Sequence, residues 1–180
     1  MNNIDLIRSK KLFLFDMDGT LYLGNELFDF TLELLATLKD TGSRYLFMTN
    51  NSSKSVDDYV KKLEKLGISA TRDDFMTSSQ ATSYYLHKHH EGLKLYVCGT
   101  ESLKDELRRD GFEVTSDVNE TECIVMGFDT ELCFKKLEDA CILLNRGVDY
   151  IATNPDRGCP TEFGLVPDCF AMCEAINYAT

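Results

Sequence analysis

Positive charge is scarce in this sequence. Lysine and arginine total 19 against 30 aspartates and glutamates, a formal net charge of −11. A surface of that sign is a poor match for nucleic acid or an anionic membrane, so neither is expected as a partner. Long apolar runs are missing too: nothing approaches the roughly 20 residues needed to span a bilayer. The start, MNNIDLIRSKK, is too polar for a signal peptide, and the LFLF that follows is too short for its apolar centre. No Cys-x-x-Cys pair occurs. The seven cysteines (98, 123, 133, 141, 159, 169 and 173) are odd in number and scattered over apolar segments. That usage suits reduced thiols in a cytoplasmic protein, not a disulfide framework. Prolines number three, all inside one stretch, and no internal repeat or low-complexity linker is present.

What the sequence does have is alternation of strand and helix patterns. Lys11–Asp16 is apolar almost throughout, as a central parallel strand covered on both faces would be. Leu27–Lys39 repeats apolar residues at helical spacing, Arg44–Thr49 reads as a second strand, and Ser55–Leu66 as an amphipathic helix closed by Gly67. A short strand at Asp74–Thr77 and a helix at Gln80–His89 follow. Consecutive units of this kind build a parallel sheet. A second set comprises strands at 94–99, 112–115, 123–128 and Tyr150–Thr153, with helices at Ser102–Arg109 and Leu132–Arg146. The expected organisation is a first domain over residues 1–83, a smaller α/β unit over 84–153, and a return segment over 154–180.

The return segment opens with TNPDRGCPTEFGLVPD, 153 to 168, which holds every proline of the chain together with Gly158 and Gly164. Proline lowers the entropy lost on ordering. A loop of this length is more often functional than decorative, with a stiff interdomain connection as the alternative. A final helix is expected over Asp168–Ala179.

One stretch carries chemistry. In KLFLFDMDGTLYLG (11–24) an apolar strand ends on Asp16, and Asp18 follows two positions later with Gly19 and Thr20 behind it. Ligands of open parallel sheets bind at the carboxyl ends of strands, where Asp16 and Thr49-Asn50 both fall. A carboxylate there can be a nucleophile that passes through an aspartyl-phosphate. A second acid two residues on can protonate the leaving oxygen and then activate water. Two acids repel each other and repel a phosphate more, which a hard divalent cation such as Mg²⁺ relieves. Gly19 lets backbone N–H groups approach an anion, and Thr49 offers a hydroxyl.

These residues also carry a resemblance. FDMDGTLYLG (15–24) and FMTNNSS (47–53) resemble the first two motifs of the haloacid dehalogenase-like phosphatases. The resemblance implies a Rossmann-like α/β core with an inserted α/β cap. It makes Asp16 the nucleophile and Asp18 the general acid/base. Mg²⁺ would be held by the Asp16 carboxylate and the Asp18 main-chain carbonyl, and Thr49 and the Asn50 amide would hold the transferring phosphoryl group. Only 33 positions separate Asp16 from Thr49, so the cap follows the second motif. With ATNPD…CP…G…PD (152–168), this looks like the NagD-type branch, which includes para-nitrophenyl-phosphatase-like enzymes. Arg157 and Cys159 fall where that branch places substrate-facing side chains, and Arg157 could pair with a second anionic group. A cap favours small phosphorylated metabolites: nucleotides, sugar phosphates, phosphoglycolate or pyridoxal phosphate. Caps in this branch can also mediate homodimers.

Two of the family's motifs do not occur in these 180 residues: a lysine in a Gly-Lys-Pro setting and a GDxxxTD-like acidic segment. The expectation is therefore the front two-thirds of a longer protein, inactive or nearly so by itself, with an unpaired edge on the KLFLF strand. Two rivals remain: a phosphate- or partner-binding module, and a phosphotransferase using the same intermediate. Other features read more plainly. The HKHH run (87–90) suits a helix C-terminus, KDELRRD (104–110) a solvated face, Lys54 a surface position, and Cys169 with Cys173 buried packing.

Overall fold

The computed structural model describes residues 3–161 and 163–180. Glu162, inside the proline-rich stretch, lies outside the described residues. The chain divides into two compact units, Met1–Thr49 with Val56–Met76, and Asn50–Ser55 with Thr77–Thr180.

In the first unit α1 (Asn3–Arg8) leads into β1 (Leu12–Asp16). A hairpin of β2 (Tyr22–Leu23) and β3 (Glu26–Leu27) comes next, then α2 (Thr31–Asp40), β4 (Arg44–Thr49) and α3 (Val56–Lys65). After a 3-10 turn at Arg72–Asp74 comes β5 (Phe75–Thr77). The sheet has the order β1-β4-β5, and β1 runs parallel to β4 with Leu12 beside Arg44 and Asp16 beside Met48.

Both long helices pack on one face of this sheet. Leu35 and Leu38 of α2 and Val56, Tyr59 and Leu63 of α3 close over Tyr45, Phe47 and Phe75. Phe13 and Phe15 point to the same side. Leu12 and Leu14 point to the other and are 51% and 56% exposed. Among the described residues the strand expected to be covered on both faces is thus packed on one only, and it lies at the edge of the sheet, as expected of the KLFLF strand. Composition could not separate these cases, because leucines stand at the open positions and phenylalanines at the packed ones. Helix α2 starts four residues later than its spacing suggests. Leu27 is taken by the hairpin, and buried Thr31 donates its hydroxyl to the Leu21 carbonyl at 2.6 Å.

In the second unit α4 (Ser78–His89), β6 (Leu95–Cys98), α5 (Glu101–Arg109), β7 (Cys123–Met126), α6 (Phe134–Asn145) and β8 (Asp149–Ala152) succeed one another. The strands form a parallel sheet of order β6-β7-β8. Every residue of β6 and β7 is buried. Tyr96, Cys98, Ile124 and Met126 face α6 and the final helix α7 (Cys169–Asn177). Leu95, Val97, Cys123 and Val125 face Leu86 of α4 and Leu103 and Leu107 of α5. Two covered faces explain the unbroken apolar runs.

Two expectations are corrected here. Residues 112–115 form no strand; Val114 makes only an isolated bridge to Leu95. The proline-rich stretch contains an antiparallel pair, β9 (Gly158–Thr161) and β10 (Gly164–Pro167). Two prolines stand inside those strands. A two-stranded ribbon has a free edge on each strand, where a missing N–H breaks no ladder bond. Among the described residues, no helix is long and apolar enough to cross a membrane.

Candidate active site

At the end of β1 the chain alternates: Asp16 exposed, Met17 buried, Asp18 exposed. Met17, Leu21 and Tyr22, all at most 1% exposed, anchor the turn in the core of the first unit. The Met17 carbonyl accepts from the amides of Thr20 and Leu21, at 3.1 and 2.9 Å. Gly19 has φ +80°, and its amide donates to the Tyr22 carbonyl at 2.8 Å. A side chain would strain that backbone, so the glycine after the second acid is a requirement of the turn. The result is a tight bend that presents both carboxylates to solvent.

Each carboxylate is held. The Thr20 hydroxyl donates to Asp16 Oδ2 at 3.2 Å. Lys62 Nζ, from α3, sits 3.3 Å from Asp18 Oδ1, and the Tyr22 hydroxyl donates to Asp18 Oδ2 at 3.5 Å. The same ammonium lies 4.0 Å from the centroid of the Tyr22 ring, a cation–π contact. Burial, reinforced by the Asp18 charge, pushes the Tyr22 phenol far above its usual range, so it stays a neutral donor. Lys62 was not singled out from sequence. It lies 44 positions from Asp18, and only the packing of Tyr59 and Leu63 on the sheet turns it toward the bend.

Thr49 ends β4 and directly follows Met48, the register partner of Asp16. Asp16, Asp18, Gly19 and Thr49 therefore share the carboxyl end of the first unit's sheet, where the strand pattern placed them. Hard oxygen donors are what Mg²⁺ takes, and it commonly keeps several waters. The Asp16 carboxylate and the Asp18 main-chain carbonyl, the donors that the resemblance implies, are oxygens of that kind and fit such an ion as part of a site. Among the described residues, no group of three or more His, Cys, Asp or Glu could hold a metal ion.

The remaining candidates belong to the second unit. The Asn50 main-chain carbonyl accepts from Ser78 Oγ and Asn154 Nδ2, both at 2.8 Å, and the Asn50 side-chain Nδ2 donates to Asp156 Oδ2 at 3.3 Å. Ser52 and Thr153 join hydroxyls at 2.8 Å, and Ser52 Oγ also accepts from the Phe128 amide at 2.9 Å. The segment after the second strand is thus stitched to residues 153–156. Asn154 and Asp156 carry this network, and their place in the TNPD run gives no sign of it, because their partner Asn50 is about a hundred residues away in sequence. Arg157 is exposed, pairs with Glu174 at 3.4 Å and lies over the Phe170 ring. The Cys159 side chain packs against the core of the second unit. Lys54 is exposed, while Cys169 and Cys173 are buried as expected.

Comparison with known proteins adds four findings. The family described as "Haloacid dehalogenase-like hydrolase" matches residues 13–113. The chain is 32% identical to the 5'-nucleotidase YutF of Bacillus subtilis (strain 168) over 174 residues, covering 97% of this chain and 67% of that protein. It superposes on the 4-nitrophenylphosphatase of Thermotoga maritima with a TM-score of 0.92 at 38% identity, covering 97% of this chain and 66% of that one. The glycerol phosphate phosphatase of Mycobacterium tuberculosis, solved in complex with magnesium, gives 0.88 at 30% identity, covering 96% of this chain and 53% of that one. The chain thus spans about two thirds of the first two relatives and about half of the third.

Proposed function

The chain belongs to the haloacid dehalogenase-like hydrolase family, and from that membership we propose that it carries the nucleophile half of a phosphatase acting on small phosphate monoesters. The observation that supports this most is the bend after β1. It presents Asp16 and Asp18 side by side, both exposed, each already oriented by a hydrogen bond.

In this reading an Asp16 oxygen attacks phosphorus, and the bond from phosphorus to the ester oxygen breaks. The departing alcohol oxygen takes a proton from the Asp18 carboxyl group. Asp18, now a carboxylate, removes a proton from water, which attacks the phosphorus of the aspartyl-phosphate. Inorganic phosphate leaves and Asp16 is regenerated. Lys62 and Tyr22 keep Asp18 on the correct side of the bend. Thr49, Gly19 and the Asn50 amide are the donors assigned to phosphoryl oxygens. The Asp16 carboxylate and the Asp18 main-chain carbonyl would hold Mg²⁺, which when bound supplies positive charge against those oxygens.

The relatives' names, a 5'-nucleotidase and a glycerol phosphate phosphatase among them, support nucleoside monophosphates and polyol or sugar phosphates as the first substrates to test. Seven cysteines on mostly apolar segments support action in a reducing cytoplasm. One observation favours a second reading. Since neither the lysine nor the GDxxxTD-like motif occurs in the 180 residues, the chain by itself could bind phosphate without turning it over.

The test is Mg²⁺-dependent phosphate release from a panel of monoesters. It compares the 180-residue chain, a form extended with the C-terminal third of the Thermotoga maritima enzyme, and the extended form carrying Asp16→Asn. Turnover by the extended form alone supports the proposal. Turnover that survives Asp16→Asn removes Asp16 as nucleophile, and no turnover in any form favours the binding reading.

A further inference from the structure

We infer that Asp156 is a positioning residue for Asn50: its carboxylate fixes which end of the Asn50 side-chain amide meets a phosphoryl oxygen. The inference rests on the reading of Asn50 as a phosphoryl donor. Every residue it uses lies in the second unit.

Asn50, Asn154 and Asp156 close a ring of hydrogen bonds. Asn154 Nδ2 donates to the Asn50 main-chain carbonyl at 2.8 Å, and Asn154 Oδ1 accepts from the Asp156 main-chain amide at 2.9 Å. Asp156 Oδ2 then accepts from Asn50 Nδ2 at 3.3 Å. The foot of the ring is buried and its tip is open: Asn154 is 5% exposed, whereas Asn50 is exposed. Two further bonds tie the foot to the start of α7. Asn154 Nδ2 lies 3.4 Å from Asp168 Oδ1, and the Asp156 main-chain carbonyl accepts from the Phe170 amide at 2.9 Å. The main chain of Asp156 is thus fixed by bonds that do not involve its carboxylate.

What the carboxylate adds follows from the chemistry of an amide. An asparagine side chain has one end that donates and one that accepts, and the torsion that exchanges them is soft. Only the nitrogen end suits a phosphoryl oxygen. A carboxylate accepts and does not donate, so Asp156 takes the nitrogen end of Asn50 and rejects the oxygen end. Nδ2 carries two hydrogens. One goes to Asp156, and the other has no partner among the described residues. A neutral amide in place of Asp156 could satisfy either end and would leave the orientation open.

Charge makes the inference decidable. A carboxylate close to an anion site repels the anion. If charge were all that Asp156 contributed, neutralising it would tighten phosphate binding. Positioning predicts the opposite sign.

The test is an NMR titration of the isotope-labelled 180-residue chain with inorganic phosphate at constant ionic strength, followed at the Asn50 Nδ2 signals. Those signals should shift to saturation. Asp156→Asn keeps the size of the side chain and the main-chain bonds of residue 156. It should weaken phosphate binding by about three- to tenfold, the share of one hydrogen bond. Asn50→Ala should weaken it to a similar extent, and adding Asp156→Asn to Asn50→Ala should weaken it no further. Tighter or unchanged binding by Asp156→Asn overturns the inference. Weakening that persists in the Asn50→Ala background overturns it too, because Asp156 then acts by another route. Asn50 signals that ignore phosphate remove Asn50 as a donor, and the inference with it. None of these outcomes bears on Asp16, whose role is read from phosphate release, so the inference and the phosphatase reading fail by different measurements.

Discussion

Lys62 reaches Asp18 across the face of the Tyr22 ring, and this ties the proposed acid/base to helix α3. Lys62→Met should leave the fold intact and lower kcat of the extended enzyme by about tenfold, the equivalent of about 1.4 kcal/mol of barrier. KM should hardly move, because the ammonium positions a residue and does not touch substrate. A KM change with kcat unaltered would reassign Lys62 to binding. Gly19 makes a separate demand. Its φ is +80° and open space surrounds the place a Cβ would occupy, so Gly19→Ala costs conformational energy alone. The expected loss is about 1 kcal/mol, a fall in Tm of about 2–4 °C, read by thermal unfolding. No fall would mean that the turn relaxes to another backbone shape. Asp16, Asp18 and Gly19 could be read from sequence, since a strand that ends on alternating acids before a glycine states its own geometry. Lys62 could not, because its partner is distant in sequence and its surroundings look like any amphipathic helix.

Among the elements, α4 begins with a reciprocal cap. The Thr77 hydroxyl accepts from the Gln80 amide at 3.2 Å, and the Gln80 side chain accepts from the Thr77 amide at 2.9 Å. Thr77→Ala should cost about 1 kcal/mol in denaturant unfolding with an unchanged m-value. The second unit's sheet gives another test. Burial pushes the Cys98 thiol up to about 12 and the Cys123 thiol up to about 11, whereas Cys133 is exposed. At neutral pH a thiol reagent should label Cys133 quickly and reach Cys98 and Cys123 only on unfolding. Rapid labelling of Cys98 would mean that β6 opens locally. The strands were legible as short unbroken apolar runs, and the helices because their apolar residues keep a period of 3.6. The β9–β10 ribbon was not, because its prolines and glycines are the residues that mark loops and only pairing between its strands makes it regular. Whether β1 was packed on one face or two also lay outside the sequence. That depends on which side α2 and α3 choose.

At the scale of the whole chain, the 180 residues hold the proposed nucleophile, the proposed acid/base and the donors proposed for phosphate, and neither a Gly-Lys-Pro lysine nor a GDxxxTD-like motif occurs among them. An Asp18→Asn version of the extended form should build up the phosphorylated enzyme, since the base for the second step is gone. The account stands most directly on one measurement: rapid acid quench of the extended enzyme with substrate, followed by peptide mass analysis. It predicts one phosphoryl group on the peptide that carries Asp16, more of it with Asp18→Asn and none with Asp16→Asn. Phosphate release with no phosphorylated peptide, or with the phosphoryl group on a different residue, would contradict it.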